Sequence, residues 1–147
     1  MRYLRIRRPL IFLTVLWIVL YRDTSGLVRI GFLAALLHEC GHILAWILLT
    51  GKLPVLRLSL LGIGLDTGGE MLRPIQLLLL AAAGPLTNGL LCLLTLEAMQ
   101  IRASYWGFFF AAANGLLAIF NLLPFGMLDG KQIWTILCGL HLQLRRK

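Results

Sequence analysis

The chain has 147 residues, 59% of them hydrophobic and 14% charged, with a mean hydropathy of +0.86. A soluble domain is nearer roughly one half apolar and one quarter charged, so this composition argues against an ordinary soluble enzyme and for a membrane protein of one domain at most. The net charge of +8 does not imply nucleic acid, because the cations crowd the two ends: Arg2, Arg5, Arg7 and Arg8 at one, Arg145, Arg146 and Lys147 at the other. Basic residues flanking apolar spans predict that both termini lie on the cytoplasmic side of a cell membrane, and no nucleic-acid motif is present.

In chain order, residues 9–21 form a first apolar stretch, extended by Leu4. Its length and basic flank also fit a signal peptide, but no small-x-small cleavage site follows, and an uncleaved short or tilted helix is expected. Residues 26–50 are long and apolar enough to span a bilayer as a helix. Residues 55–65, between Pro54 and the turn-rich 66–70, predict a short strand or hairpin at the membrane face. Residues 74–96 carry no charge and predict a further membrane helix containing Gly84, Pro85 and Asn88; Asn88 needs a hydrogen-bond partner at depth. Residues 103–144 predict a broken fourth segment, since Pro124, Gly126 and Gly130 together cannot sit in an unbroken helix. The expected fold is therefore an all-α polytopic membrane protein of four crossings with a short membrane-associated strand or hairpin. Cys40, Cys92 and Cys138 show no paired spacing and read as small apolar fillers. Cys40 alone lies inside a motif.

That motif is His38-Glu39-Cys40-Gly41-His42, in the middle of the second span. Two histidines four apart share one helix face, so both rings can reach one metal ion, with Glu39 beside them to handle a proton. A carboxylate and two imidazoles in apolar helix are costly unless paired, hydrated or coordinated, which marks them as functional. A catalytic zinc takes three protein ligands and keeps one position open. Asp66, Glu70, Glu97, Asp129 and His141 compete for the third place. The first three carboxylates lie at span ends, where solvation is the default, and His141 sits beside the terminal basic cluster. Asp129 adjoins the broken, otherwise charge-free segment and is the natural ligand; helix capping is its other role.

Asn121-x-x-Pro124-x-x-x-Leu128-Asp129-Gly130 resembles a signature of the site-2 protease family of intramembrane zinc metalloproteases. The 38–42 motif fits that family's H-E-x-G-H form, and Gly84-Pro85-Leu86-Thr87-Asn88 is similar to its G-P-x-x-N motif. The three occur in the family's order and look like its compact bacterial branch, which includes the pro-sigma-factor protease of sporulation. Lys131 departs from the pattern, since many members carry a second glycine there. The resemblance implies a three-helix catalytic core, one zinc ion per chain held by His38, His42 and Asp129, and Glu39 as general base. It also implies that Asn88 and Asn121 shape the site and hold substrate backbone, and that the strand region pairs with an unwound substrate. The implied substrate is a membrane-spanning protein, with a regulatory membrane partner as a further expectation. The competing reading is a protease-like membrane partner or chaperone without catalysis. The polar groups converge on one level rather than lining a path, which argues against a metal transporter.

Overall fold

A computed structural model describes residues 4–6, 9–59, 62–66 and 69–144. It contains five helices and a small sheet: β1 (Leu4–Ile6), α1 (Pro9–Arg22), α2 (Leu27–Thr50), β2 (Val55–Ser59), β3 (Gly62–Asp66), α3 (Pro74–Ile101), α4 (Tyr105–Asn121) and α5 (Asp129–Leu144). The helix α3 is the centre of the bundle and packs on α2, α4 and α5, while α2 also meets α4. The sheet order is β1-β2-β3, with β1 parallel to β2 and β2 antiparallel to β3. Their register sets Leu4 against Leu56 and Val55 against Asp66.

Local chemistry explains the element ends. The carboxylate of Asp23 accepts from the Arg29 amide at 3.0 Å and from the Ser25 hydroxyl at 2.9 Å, gathering the loose N–H groups where α2 begins. Although burial pushes the Asp23 carboxyl up, these bonds and the Arg29 guanidinium outweigh it and hold the group below the usual carboxylate range. Pro74 starts α3, where its missing N–H costs nothing, and the Gln76 side chain accepts the Arg73 amide at 2.9 Å. Ser104 caps α4 by accepting the Gly107 amide at 3.0 Å. Lys52, just past α2, pairs with Glu70, just before α3, and this surface ion pair brackets the β2–β3 hairpin.

Two boundaries differ from the sequence-based expectation. Leu4 does not extend the first helix; it belongs to β1, which pairs with β2, and α1 opens at Pro9, a residue suited to the first helical position. The helix α3 passes its apolar limit and ends at Ile101, since Glu97, Met99 and Gln100 are good helix formers that lie on an exposed end. The broken segment separates into α4 and α5. Between them, residues 122–128 turn through short-range bonds such as Leu123 N to Phe120 O at 3.1 Å and Phe125 N to Leu123 O at 3.0 Å.

The packing inverts that of a water-soluble protein. The buried apolar residues are mostly small: Ala34, Ala81, Ala111 and Ala118, with Trp46 as the one large side chain among the described residues. Asn88 and Asn114 are the largest side chains that are fully enclosed, while Leu44, Leu48, Leu90, Leu93 and Leu116 point outward. Small residues let helices approach closely, and an apolar exterior over a polar interior suits lipid as the surrounding solvent. Leu27–Thr50 and Pro74–Ile101 are each long and apolar enough to cross a membrane.

Candidate metal centre

His38 and His42 lie on consecutive turns of α2 and face α3, so their rings meet edge to face with centroids 4.8 Å apart. Helix α3 passes over them at Gly84. A Cβ at that position would fall 2.6 Å from both Nε2 and Cε1 of His38 and would also strike Nε2 of His42. Only hydrogen fits there. Beneath the pair, the α5 start delivers Asp129, and Gly130 allows this turn to lie directly on the Leu122 carbonyl.

The proton on each ring is assigned by an acceptor-only neighbour. Nδ1 of His42 donates to the Leu80 carbonyl at 2.9 Å. Nδ1 of His38 donates to Oδ1 of Asn88 at 2.5 Å. The Asn88 amide is oriented because its Nδ2 donates to the Ala34 carbonyl at 3.1 Å and to Oδ1 of Asn114 at 2.7 Å. With Nδ1 carrying the proton, a neutral imidazole presents an Nε2 lone pair.

Those lone pairs converge. Nε2 of His38 and Nε2 of His42 are 3.2 Å apart, and Oδ2 of Asp129 lies 3.1 Å from the first and 3.3 Å from the second. The three side chains expose only 8, 12 and 14% of their surface. Three acceptors at such distances repel unless a cation lies among them; a shared proton would relieve one edge, a metal ion all three. A tetrahedral ion bonded at about 2.0 Å has ligand edges of about 3.3 Å, and the observed triangle matches that size. The group His38, His42 and Asp129 can hold a metal ion.

Glu39 is half-buried on the adjoining position of α2 and lies within electrostatic reach of His42, His38 and Asp129. Among the described residues its carboxylate has no hydrogen-bond partner. Of the other acids considered for the third ligand, Glu70 is engaged with Lys52 at the surface and Glu97 is exposed. The side chains of Asp66 and His141 lie outside the described residues. Asn88 is fully enclosed, with both donors and its carbonyl used by protein groups. Asn121 makes no hydrogen bond to the cluster among the described residues and donates to the Leu117 carbonyl of its own helix at 3.0 Å. Asn114, which sequence reasoning passed over, completes the buried network; an asparagine inside the charge-free 103–121 run was the available signal.

A cleft of about 480 Å³ lies between the start of α3 and α5, lined by Leu77, Met127, Leu128, Lys131, Gln132 and Ile136 among others. Leu128, in its lining, precedes Asp129 in the chain.

Fold and site together define a helical, membrane-type protein with an enclosed His-His-Asp cluster. No protein-family model matches the chain, and no curated protein does. Its structure matches the site-2 protease from Methanocaldococcus jannaschii with a TM-score of 0.61 over 85% of this chain, at 21% sequence identity. The chain spans 61% of the length of that structure, and what the two share is the site-2 protease fold.

Proposed function

We propose that the chain is an intramembrane zinc metalloprotease that hydrolyses peptide bonds of membrane-spanning substrates. One observation carries this reading: Nε2 of His38, Nε2 of His42 and Oδ2 of Asp129 converge at 3.1 to 3.3 Å beside Glu39, whose carboxylate has no partner among the described residues. Two imidazoles and a carboxylate are a donor set that zinc favours, and three protein ligands leave one position open. Zinc held there supplies Lewis acidity, lowering the pKa of water toward neutrality and polarising a peptide carbonyl.

The chain's own residues do the rest. The Nδ1–H bonds to Asn88 and Leu80 orient the His38 and His42 rings so that their Nε2 atoms face the metal position. Glu39 takes a proton from the attacking water and returns it to the leaving amine as the bond breaks. A helical substrate must unwind first, since its carbonyls are occupied by bonds along the helix. The strand β3 ends the sheet and offers an edge on which an unwound segment can pair, while the cleft beside Leu128 receives flanking side chains. The asparagine with spare capacity for substrate backbone is Asn121, whose Oδ1 has no partner among the described residues.

In this reading the chain crosses the membrane four times, both termini are cytoplasmic, and a membrane partner regulates access. The test is cleavage of a transmembrane peptide with a Gly-Pro pair at mid-span, reconstituted in proteoliposomes with wild type or Glu39→Gln. Chelator-sensitive cleavage by the wild type alone supports the reading. Equal cleavage by Glu39→Gln, or cleavage indifferent to metal removal, overturns it.

A further inference from the structure

Among the described residues, Asn88 and Asn114 are the largest side chains that the bundle encloses completely, where an apolar pair would avoid the cost of burying two amides. Their bonds form one directed chain. Nδ2 of Asn114 donates to the Phe110 carbonyl at 2.8 Å, Oδ1 of Asn114 accepts from Asn88, and Oδ1 of Asn88 accepts from the His38 ring. A backbone carbonyl can only accept, so Phe110 at one end and Ala34 at the other dictate the orientation of both amides.

We propose that Asn114, on α4, is a positioning residue for His38, acting through Asn88 to aim the His38 Nε2 lone pair at the metal centre. The proposal rests on the metal reading above and assigns a role one residue further out. Rotation about the terminal bond of an asparagine is broad rather than confined to narrow wells. One bond to Ala34 leaves the Asn88 amide free to tilt; the second, to Asn114, fixes its plane. Only in that plane does Oδ1 of Asn88 meet the Nδ1 proton of His38. Helix α4 contributes none of the three candidate ligands, yet it is linked to His38 through Asn114 and Asn88.

The experiment compares zinc affinity, by chelator competition on detergent-purified protein, in wild type, Asn114→Leu, Asn88→Leu and the double variant. Groups that orient metal-bound histidines typically alter affinity by about 10- to 100-fold. Asn114→Leu is expected to weaken zinc binding roughly tenfold and Asn88→Leu at least as much. The double variant should match Asn88→Leu, because Asn114 has no other route to the metal. Asn114→Ser, too short to reach Asn88, repeats the comparison without added apolar bulk if the leucine variant does not fold.

A second readout is the ring-nitrogen NMR signature of His38 in ¹⁵N-histidine-labelled, metal-free protein. It should report the Nδ1–H form in wild type and a mixture of tautomers in Asn114→Leu. Wild-type zinc affinity in Asn114→Leu, or full additivity in the double variant, overturns the proposal and leaves the metal reading intact. A wild type that binds no zinc refutes the metal reading instead. The His38 signature then decides the role of Asn114, and an unchanged signature in Asn114→Leu overturns it.

Discussion

Replacing Gly84 by alanine separates metal binding from folding. The added Cβ would lie 2.6 Å from His38 Nε2, whereas ordinary contact begins at about 3.4 Å, so the ring must retreat by about 0.8 Å. That shift is several times the tolerance of about 0.2 Å on metal–ligand distances. Stability responds in two opposed ways. Overpacking costs about 1–3 kcal/mol, while alanine in a helix interior is better than glycine by about 0.5–1 kcal/mol. The metal-free protein should therefore lose at most about 2.5 kcal/mol, or about 10 °C in melting temperature. Zinc affinity should fall about 100-fold, because both histidines are displaced at once. Chelator competition measures the affinity and a thermal melt without metal measures the fold. Gly84→Ala with wild-type zinc affinity would show that the helix crossing does not position the histidines as described.

Glu39→Gln should keep zinc and lose about 10²- to 10⁴-fold in cleavage rate, the usual contribution of a general base, as read from peptide cleavage beside metal content. The Asp23 carboxyl is held below its ordinary value in the folded state, so its contribution is complete above the unfolded pKa of about 3.9 and disappears as pH falls through the lower folded value. Melting temperature followed down to acid pH should fall in wild type and flatten in Asp23→Asn, and parallel curves would contradict the cap. The exposed Lys52–Glu70 pair should count for less than about 1 kcal/mol, so Lys52→Ala should melt close to wild type. Chelation should lower the melting temperature of the zinc-loaded protein, since an ion that binds only the folded state stabilises it by mass action.

The grouping of His38, His42 and Asp129 was legible because its signals are local. The i, i+4 spacing of His38 and His42 places both rings on one face whatever surrounds the helix, and Asp129 stood as the one acid beside a broken, otherwise charge-free stretch. Gly84 showed only as a small residue, since its reason lies in two rings contributed by another helix. Asn114 was missed although the argument applied to Asn88, that an amide at depth needs a partner, applies to it equally. The two asparagines are 26 positions apart and answer each other. β1 was illegible because three residues carry little pattern, and their pairing with Leu56–Leu58 lies some fifty positions away.

The most direct test of the central claim is the zinc content of the detergent-purified protein, measured by elemental analysis for wild type beside Asp129→Ala. The His38, His42 and Asp129 triangle predicts about one zinc per wild-type chain and a large loss in Asp129→Ala, with the fold retained. A folded wild type that takes up no zinc when zinc is supplied would contradict it, and so would an Asp129→Ala protein that holds zinc as tightly as wild type.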